Sequence, residues 1–270
     1  MKPHPDWIAP DWPAPAHVRA VFTTRAGGVS SAPFDSLNLG DHVHDRPESV
    51  SANRKIVHDM LGAHPVYLQQ VHGTGVLTID ASTPDGVVAD AAVTANTGVA
   101  CTVMVADCLP VLFTDSEGRV VAAAHAGWRG LEQGVLESAV SNFSECFSTV
   151  APVRYASPAI HSIAPAMLAW LGPCIGPQAF EVGPEVRDAF VSHDVAAQAL
   201  FLPGEGGKWL ADLAGLARQR LQAMGMTRIY GNDSSAAWCT VSNRSRLFSH
   251  RRDTVNLGGS GRMVACIWRV

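Results

Sequence analysis

No uninterrupted apolar stretch of this 270-residue chain approaches the roughly 18 residues of a membrane span, which excludes a transmembrane helix. The opening residues, Met1-Lys2-Pro3-His4-Pro5-Asp6-Trp7, lack the apolar core of a secretory signal. Charge is scarce and nearly balanced: 16% of residues are charged, the net charge is −4 and the pI is near 6.2. That removes the electrostatic case for nucleic acid or an anionic membrane as partner. The six cysteines, at positions 101, 108, 146, 174, 239 and 266, are too sparse for a disulfide scaffold. They are expected to be reduced thiols in a cytoplasmic protein. Phosphate-binding GxGxxG and Walker loops are missing, as is the G-x-S-x-G elbow of a serine hydrolase. No internal repeat or heptad is present. What remains, with 47% hydrophobic residues, is an ordinary globular composition able to bury a substantial core.

The hydrophobic pattern places strands at Val21–Thr24, Val66–Leu68, Val76–Ile79 and Val99–Val105. Val111–Thr114 and Val120–Ala124 bracket Asp115-Ser116-Glu117-Gly118 and predict a hairpin. Helices are predicted from Asp45, read as a cap with Glu48 three residues on, to Gly62, and from Leu131 to about Phe143. A third is predicted from the spacing of Trp209, Leu213, Leu216 and Ala217, ending by Gly225. Strands come in bursts and helices separately, which favours an α+β or layered α/β architecture over regular βαβ alternation. Residues 1–18, rich in Pro, Trp and His, are expected to wrap the surface of a domain spanning 19–270. The Pro/Ala/Ser-rich stretch at 150–165 is expected to be a surface loop within that domain.

Three residues stand where apolar runs give way to turns: His72 in Gln69-Gln70-Val71-His72-Gly73, Cys108 in Ala106-Asp107-Cys108-Leu109-Pro110, and His125 in Ala124-His125-Ala126-Gly127. Two imidazoles and a thiolate form a nitrogen-and-sulfur set suited to Zn²⁺ with one position left open. Each has a bland alternative. His72 alone is as readily a hydrogen-bonded histidine at a strand end, and a free cysteine is usually a small buried hydrophobe. Cys108, however, follows Asp107 and precedes a proline bend, whereas Cys101 lies inside an apolar run and reads as core. Asp107 is suited to orienting a ligand or capping a turn. His42 and His44 form the one H-x-H pair and read as a polar loop, and His161 and His193 are placed in loops. His250, beside Arg251 and Arg252, reads either as a basic turn or as an anion site. Arg25 and Arg129 adjoin Gly-rich turns, and their planar forks of donors suit phosphate or carboxylate.

Taken in order, these segments resemble the laccase-domain family, also described as multicopper polyphenol oxidoreductase-like or peptidoglycan editing factors. The resemblance rests on Thr24-Arg25-Ala26-Gly27-Gly28-Val29-Ser30, Ser36-Leu37-Asn38-Leu39, Asn53-Arg54, Gln70-Val71-His72-Gly73, Ala106-Asp107-Cys108-Leu109-Pro110 and His125-Ala126-Gly127-Trp128-Arg129-Gly130. It continues through Gly172-Pro173-Cys174-Ile175-Gly176, Phe180-Glu181-Val182-Gly183, Cys239-Thr240, Phe248-Ser249-His250-Arg251-Arg252-Asp253 and Gly261-Arg262. The ordered set is specific where each part is weak. His250 departs from the family's usual aromatic residue, Val255–Ser260 looks inserted, and the 150–165 stretch is longer than usual.

The resemblance implies a single-domain α-β-β-α sandwich similar to cytotoxic-necrotising-factor-type enzymes, with zinc held by His72, Cys108 and His125. It implies phosphorolysis of adenosine, inosine and methylthioadenosine, with adenosine deaminase activity beside it. The expected catalytic residues are His72, Cys108 and His125, and the expected substrate-binding residues are Arg25, Asn38, Gln70 and Arg129. Asp107, Glu181 and His250 are candidates for moving protons. The partners expected are purine nucleosides and phosphate, taken by a monomer. Two other classes remain open: a copper-dependent phenol oxidase, since Cu²⁺ binds such donors more tightly than Zn²⁺, and an editing protein for peptidoglycan precursors.

Overall fold

The computed structural model describes residues 4–150 and 163–270. Most of the 150–165 stretch, and His161 within it, lie outside the described residues.

Two sheets stack between helical layers. The first has four strands in the order β1-β13-β5-β2: β1 is Val18–Phe22, β2 is His64–Tyr67, β5 is Val99–Val105 and β13 is Met263–Arg269. The second has six, in the order β12-β8-β6-β7-β4-β3: β3 is Val76–Thr78, β4 Ala91–Thr94, β6 Leu109–Asp115, β7 Val121–Ala126, β8 Met167–Leu171 and β12 Ile229–Gly231. A small third sheet joins β9 (Glu181–Val182), β10 (Phe201–Pro203) and β11 (Trp209–Ala211). The helices are α1 (Pro47–Leu61), α2 (Trp128–Gln133), α3 (Val135–Val150), α4 (Pro184–His193), α5 (Leu213–Ala223) and α6 (His250–Leu257).

The two-residue period of the strands sorts their side chains into separate cores. Along β5 and β13, Ala100, Met104, Val264, Cys266 and Trp268 face Val57 and Leu61 of α1. The alternate positions, Cys101, Val103, Val105, Ala265 and Ile267, meet Leu112, Val121, Ala123 and Trp170 between the sheets. Val111, Phe113, Ala122 and Ala124 pack on the far side against Leu136, Ala139, Val140 and Phe143 of α3. Each such large apolar side chain, fully removed from water, contributes about 1.5–3 kcal/mol. The order is therefore α-β-β-α, as expected. Strands buried on both faces carry near-continuous apolar runs, which is why Val99–Val105 is legible as a strand. Ahead of β1, Trp7 is buried and Ile8 pairs with Phe22.

Four local expectations are corrected. Asp45 does not cap α1. Its carboxylate accepts Ser30 Oγ (2.6 Å) and Asn38 Nδ2 (2.9 Å), so Arg46 is the cap residue and Pro47 opens the helix. The helix read from Leu131 to Phe143 begins at Trp128 and is broken at Gly134, whose left-handed φ of 100° separates α2 from α3. Trp209 lies in β11 and not in a helix. Asp212 accepts Gly215 N–H and starts α5 after it. His193 ends α4 and is not in a loop.

Candidate metal and substrate site

The site lies at one end of the inter-sheet core. In the hairpin of β6 and β7, Pro110 pairs with His125 and Leu109 with Ala126, which brings Cys108, just ahead of β6, beside Gly127. The loop after β2 carries His72 over them. The donor atoms of His72, Cys108 and His125 all lie within 4.8 Å of one another. Cys108 Sγ is 3.7 Å from His72 Nε2, and the two imidazoles meet edge to face with centroids 4.8 Å apart. Tetrahedral zinc with bonds of about 2.0–2.3 Å needs ligand atoms about 3.5 Å apart. The donor set and its spacing fit such an ion with little adjustment.

One buried carboxylate holds both histidines. Asp90 Oδ1 accepts the His72 backbone N–H (2.9 Å), and Oδ2 accepts Gly73 N–H (2.8 Å) and Val71 N–H (3.2 Å). This fixes the loop in which His72 adopts a φ of +61°. His125 Nδ1 lies 2.9 Å from Asp90 Oδ1, which assigns a proton to Nδ1 and turns Nε2 toward the cluster. Burial works against the Asp90 charge, but the bonds from His125 and the loop outweigh it and hold the carboxyl below its usual range. Burial likewise opposes ionisation of Cys108, yet the neighbouring His125 and His72 bring the thiol down to about 6. Burial disfavours the His125 cation, but Cys108 and Asp90 together push its pKa up to about 9. Without an ion, Cys108 and His125 thus form a thiolate–imidazolium pair.

Glycine makes room for the cluster. A Cβ at Gly127 would stand 2.8 Å from His72 Cδ2 and 3.1 Å from Cys108 Sγ.

Beside Cys108 opens a cleft of about 140 Å³ lined by Trp128, Ile175, Phe180, Leu213, His250 and Arg251. That is below the ~300–1,000 Å³ typical of complete small-molecule pockets, so it has room for only part of such a molecule. Asp107, with a φ of +90°, accepts Thr240 Oγ1–H and the Arg251 backbone N–H (2.6 Å), and so sits on the first turn of α6. His250 opens that helix with Nδ1 3.0 Å from Thr254 Oγ1. Burial and the nearby Arg262 hold its pKa below the ordinary histidine value, against the pull of Asp107.

The expected substrate residues are dispersed. Arg129 is exposed, its guanidinium 4.5 Å from the Trp128 ring centroid. Gln70 pairs both ends of its amide with the Met104 backbone, at 2.7 and 2.9 Å. Asn38 is fully buried and bonds Gly40, Asp45 and the Arg262 N–H. Arg25 donates to the carbonyls of Asp35 and Arg244, pairs with the Asp35 carboxylate at 3.1 Å and lines a separate cavity. Glu181 pairs with Lys208. Asp90 was not singled out from the sequence. Its signal is a lone carboxylate in Val87-Val88-Ala89-Asp90-Ala91-Ala92-Val93, which can be buried only with partners. Trp128, Phe180 and Arg262 appear in the motifs above without a role assigned.

The fold and the His/Cys/His centre define the class: the chain belongs to the family described as multi-copper polyphenol oxidoreductase laccase, whose model matches residues 19–270. Among named relatives, it is 48% identical over 264 residues to a Pseudomonas aeruginosa protein named purine nucleoside phosphorylase, covering 97% of this chain and 98% of that one. The Escherichia coli purine nucleoside phosphorylase YfiH is 46% identical over 265 residues, with the same coverages. Among solved structures, a Neisseria meningitidis protein superposes with a TM-score of 0.84 at 44% identity, covering 98% of this chain and 99% of that one. A Bacillus licheniformis protein, YfiH, gives a TM-score of 0.80 at 29% identity, covering 94% and 93%.

Proposed function

We propose that this chain is a zinc-dependent purine nucleoside phosphorylase acting on adenosine, inosine and methylthioadenosine. The observation that carries the reading is the convergence of His72, Cys108 and His125 at a cleft with flat apolar walls and a cationic edge. The names of its relatives support it. The oxidoreductase description of the family suits this chain less well. A multicopper oxidase needs several histidine-rich centres, and among the described residues one group of three such donors converges.

In the proposed reaction a phosphate oxygen bonds to the anomeric carbon as the glycosidic C–N bond breaks. The bonding pair leaves with the purine, which takes up a proton. Zinc, when bound, would supply a Lewis acid with one open coordination position. Trp128 and Phe180 stack on the base and exclude water from one side of it. His250, with Nδ1 engaged by Thr254, retains Nε2 for exchanging a proton with the base. Asp107 keeps α6 in place through the Arg251 N–H. Slower adenosine deamination is part of the proposal, because His72 is exposed and leaves the centre open to water.

The test is a nucleoside panel with zinc-loaded protein under anaerobic conditions, with and without phosphate. Free base should appear only when phosphate is present. Oxygen-dependent phenol oxidation by a copper form, with no nucleoside cleaved by the zinc form, would overturn the assignment.

A further inference from the structure

Among the described residues, Arg262 is a cation near the site that no carboxylate pairs with. Met263 pairs with Val105 where β13 meets β5, so Arg262 stands beside the turn that carries Asp107 and Cys108. Its backbone N–H is fixed by Asn38 Oδ1 at 2.8 Å, and Asn38 is itself held by Asn53, whose Nδ2 donates to its carbonyl at 2.8 Å. Nη1 donates to the carbonyls of Ser260 (2.9 Å) and Gly261 (3.2 Å). Among the described residues nothing accepts from Nε or Nη2, and no carboxylate forms an ion pair with this guanidinium. A Cβ at Gly40 would fall 2.7 Å from Arg262 Cγ and 3.4 Å from His42 Cε1, so the absent side chain leaves space for both.

Three neighbouring arginines are held by carboxylates, and Arg251, which has none, donates Nη2–H to the Glu181 carbonyl at 3.1 Å. Arg25 is paired with Asp35, Arg54 with Asp41 and Asp85, and Arg252 with Asp253. A half-buried guanidinium without a counter-ion is costly to keep. Burial disfavours its charge, and the negative fields of Cys108 and Asp107 offset that only in part. Asp107 is already engaged by Thr240 and Arg251, and a metal on Cys108 would neutralise the thiolate. The loaded site therefore has beside it a cation whose Nε and Nη2 find no acceptor and no carboxylate among the described residues.

We propose that Arg262 is the anion-binding residue of this site, its Nε–H and Nη2–H gripping two oxygens of inorganic phosphate. Such a fork matches the spacing of phosphate oxygens, and a lysine cannot reproduce it. The assignment rests on the phosphorylase reading, since it places the co-substrate of that reaction. It also replaces Arg25, whose donors are taken.

The experiment is calorimetric titration of inorganic phosphate into zinc-loaded wild type, Arg262→Gln, Arg262→Lys and Arg25→Ala, with the KM for phosphate measured in parallel. Loss of a charge-assisted bidentate contact should raise the phosphate Kd and KM about 10–100-fold in Arg262→Gln. The KM for inosine and the zinc content should be unchanged. Arg262→Lys, which keeps the charge and the stem, should recover part of the affinity, and Arg25→Ala should match wild type. Should Arg262→Gln not fold, Arg262→Lys decides: full wild-type phosphate affinity there overturns the bidentate assignment. Loss of phosphate binding in Arg25→Ala with none in the Arg262 variants also overturns it. A wild type that binds phosphate through Arg262 but cleaves no nucleoside would retain the anion site and remove the phosphorylase reading instead.

Discussion

Asp90 accepts three backbone N–H groups from the loop of His72 on one side and the Nδ1 proton of His125 on the other, so Asn in its place must turn a donor toward donors. Asp90→Asn should weaken zinc about 10–100-fold, as read by competition with a chromophoric chelator. Wild-type affinity would remove Asp90 from the role. The pH dependence has a defined sign. The folded carboxyl titrates below its unfolded value, so its stabilisation is present above the usual carboxylate range and is lost as pH falls through the folded pKa. The stability gap between wild type and Asp90→Asn in urea should therefore be widest near pH 7 and shrink below about pH 4. Cys108 offers a second residue-scale measurement. In metal-free protein its alkylation by iodoacetamide should rise to half-maximum at about pH 6, not near the ~8.5 of an ordinary thiol. Replacing His125 by Gln should move that midpoint upward. An unshifted midpoint would contradict the thiolate–imidazolium pair.

At the scale of elements, the hairpin of β6 and β7 and the start of α2 set the spacing of the cluster. Gly127→Ala would place a methyl group 2.8 Å from His72 Cδ2 and 3.1 Å from Cys108 Sγ, so both of these side chains must shift. It should lower bound zinc per chain while the far-ultraviolet circular dichroism remains wild-type; full zinc occupancy would show that the approach is looser than described. The hairpin, β5 and the members of the His72–Cys108–His125 cluster were legible because each lies on a buried strand or at a turn, where alternation and Gly or Pro leave a local mark. Asp45 was misread because a local pattern, acid followed three residues later by Glu48, competes with a tertiary demand from Ser30 and Asn38. Trp209 was misread for a similar reason. Its spacing to Leu213 is helical, yet Asp212 restarts the chain between them. Arg25 stood out beside its glycines, but only the fold reveals that Asp35 and Arg244 take its donors. Arg262 gave no comparable signal, because an unpaired cation is defined by what three-dimensional packing leaves beside it.

For the whole molecule, four layers follow from two sheets whose strands are apolar on both faces; the separation of strand bursts from helices pointed to an α+β or layered α/β architecture, and the four-layer order came with the family resemblance. The six-stranded sheet was not legible, because β8, β12 and β3 are short or come from distant parts of the chain. Zinc bound at the proposed centre should contribute to the stability of this body by mass action. Zinc at 100 times its Kd adds about 2.7 kcal/mol, so chelation should lower Tm by about 5–10 °C in calorimetry, and Cys108→Ala should abolish that difference. An unchanged Tm would place the ion elsewhere or nowhere. The central claim, phosphorolysis at the His72–Cys108–His125 centre, is tested most directly by mass spectrometry of inosine cleavage in ¹⁸O-labelled water with unlabelled phosphate. The account predicts hypoxanthine and ribose 1-phosphate in equal amounts, with no ¹⁸O on the sugar, and neither product from Cys108→Ala. Free ribose carrying ¹⁸O, or equal cleavage by Cys108→Ala, would contradict it.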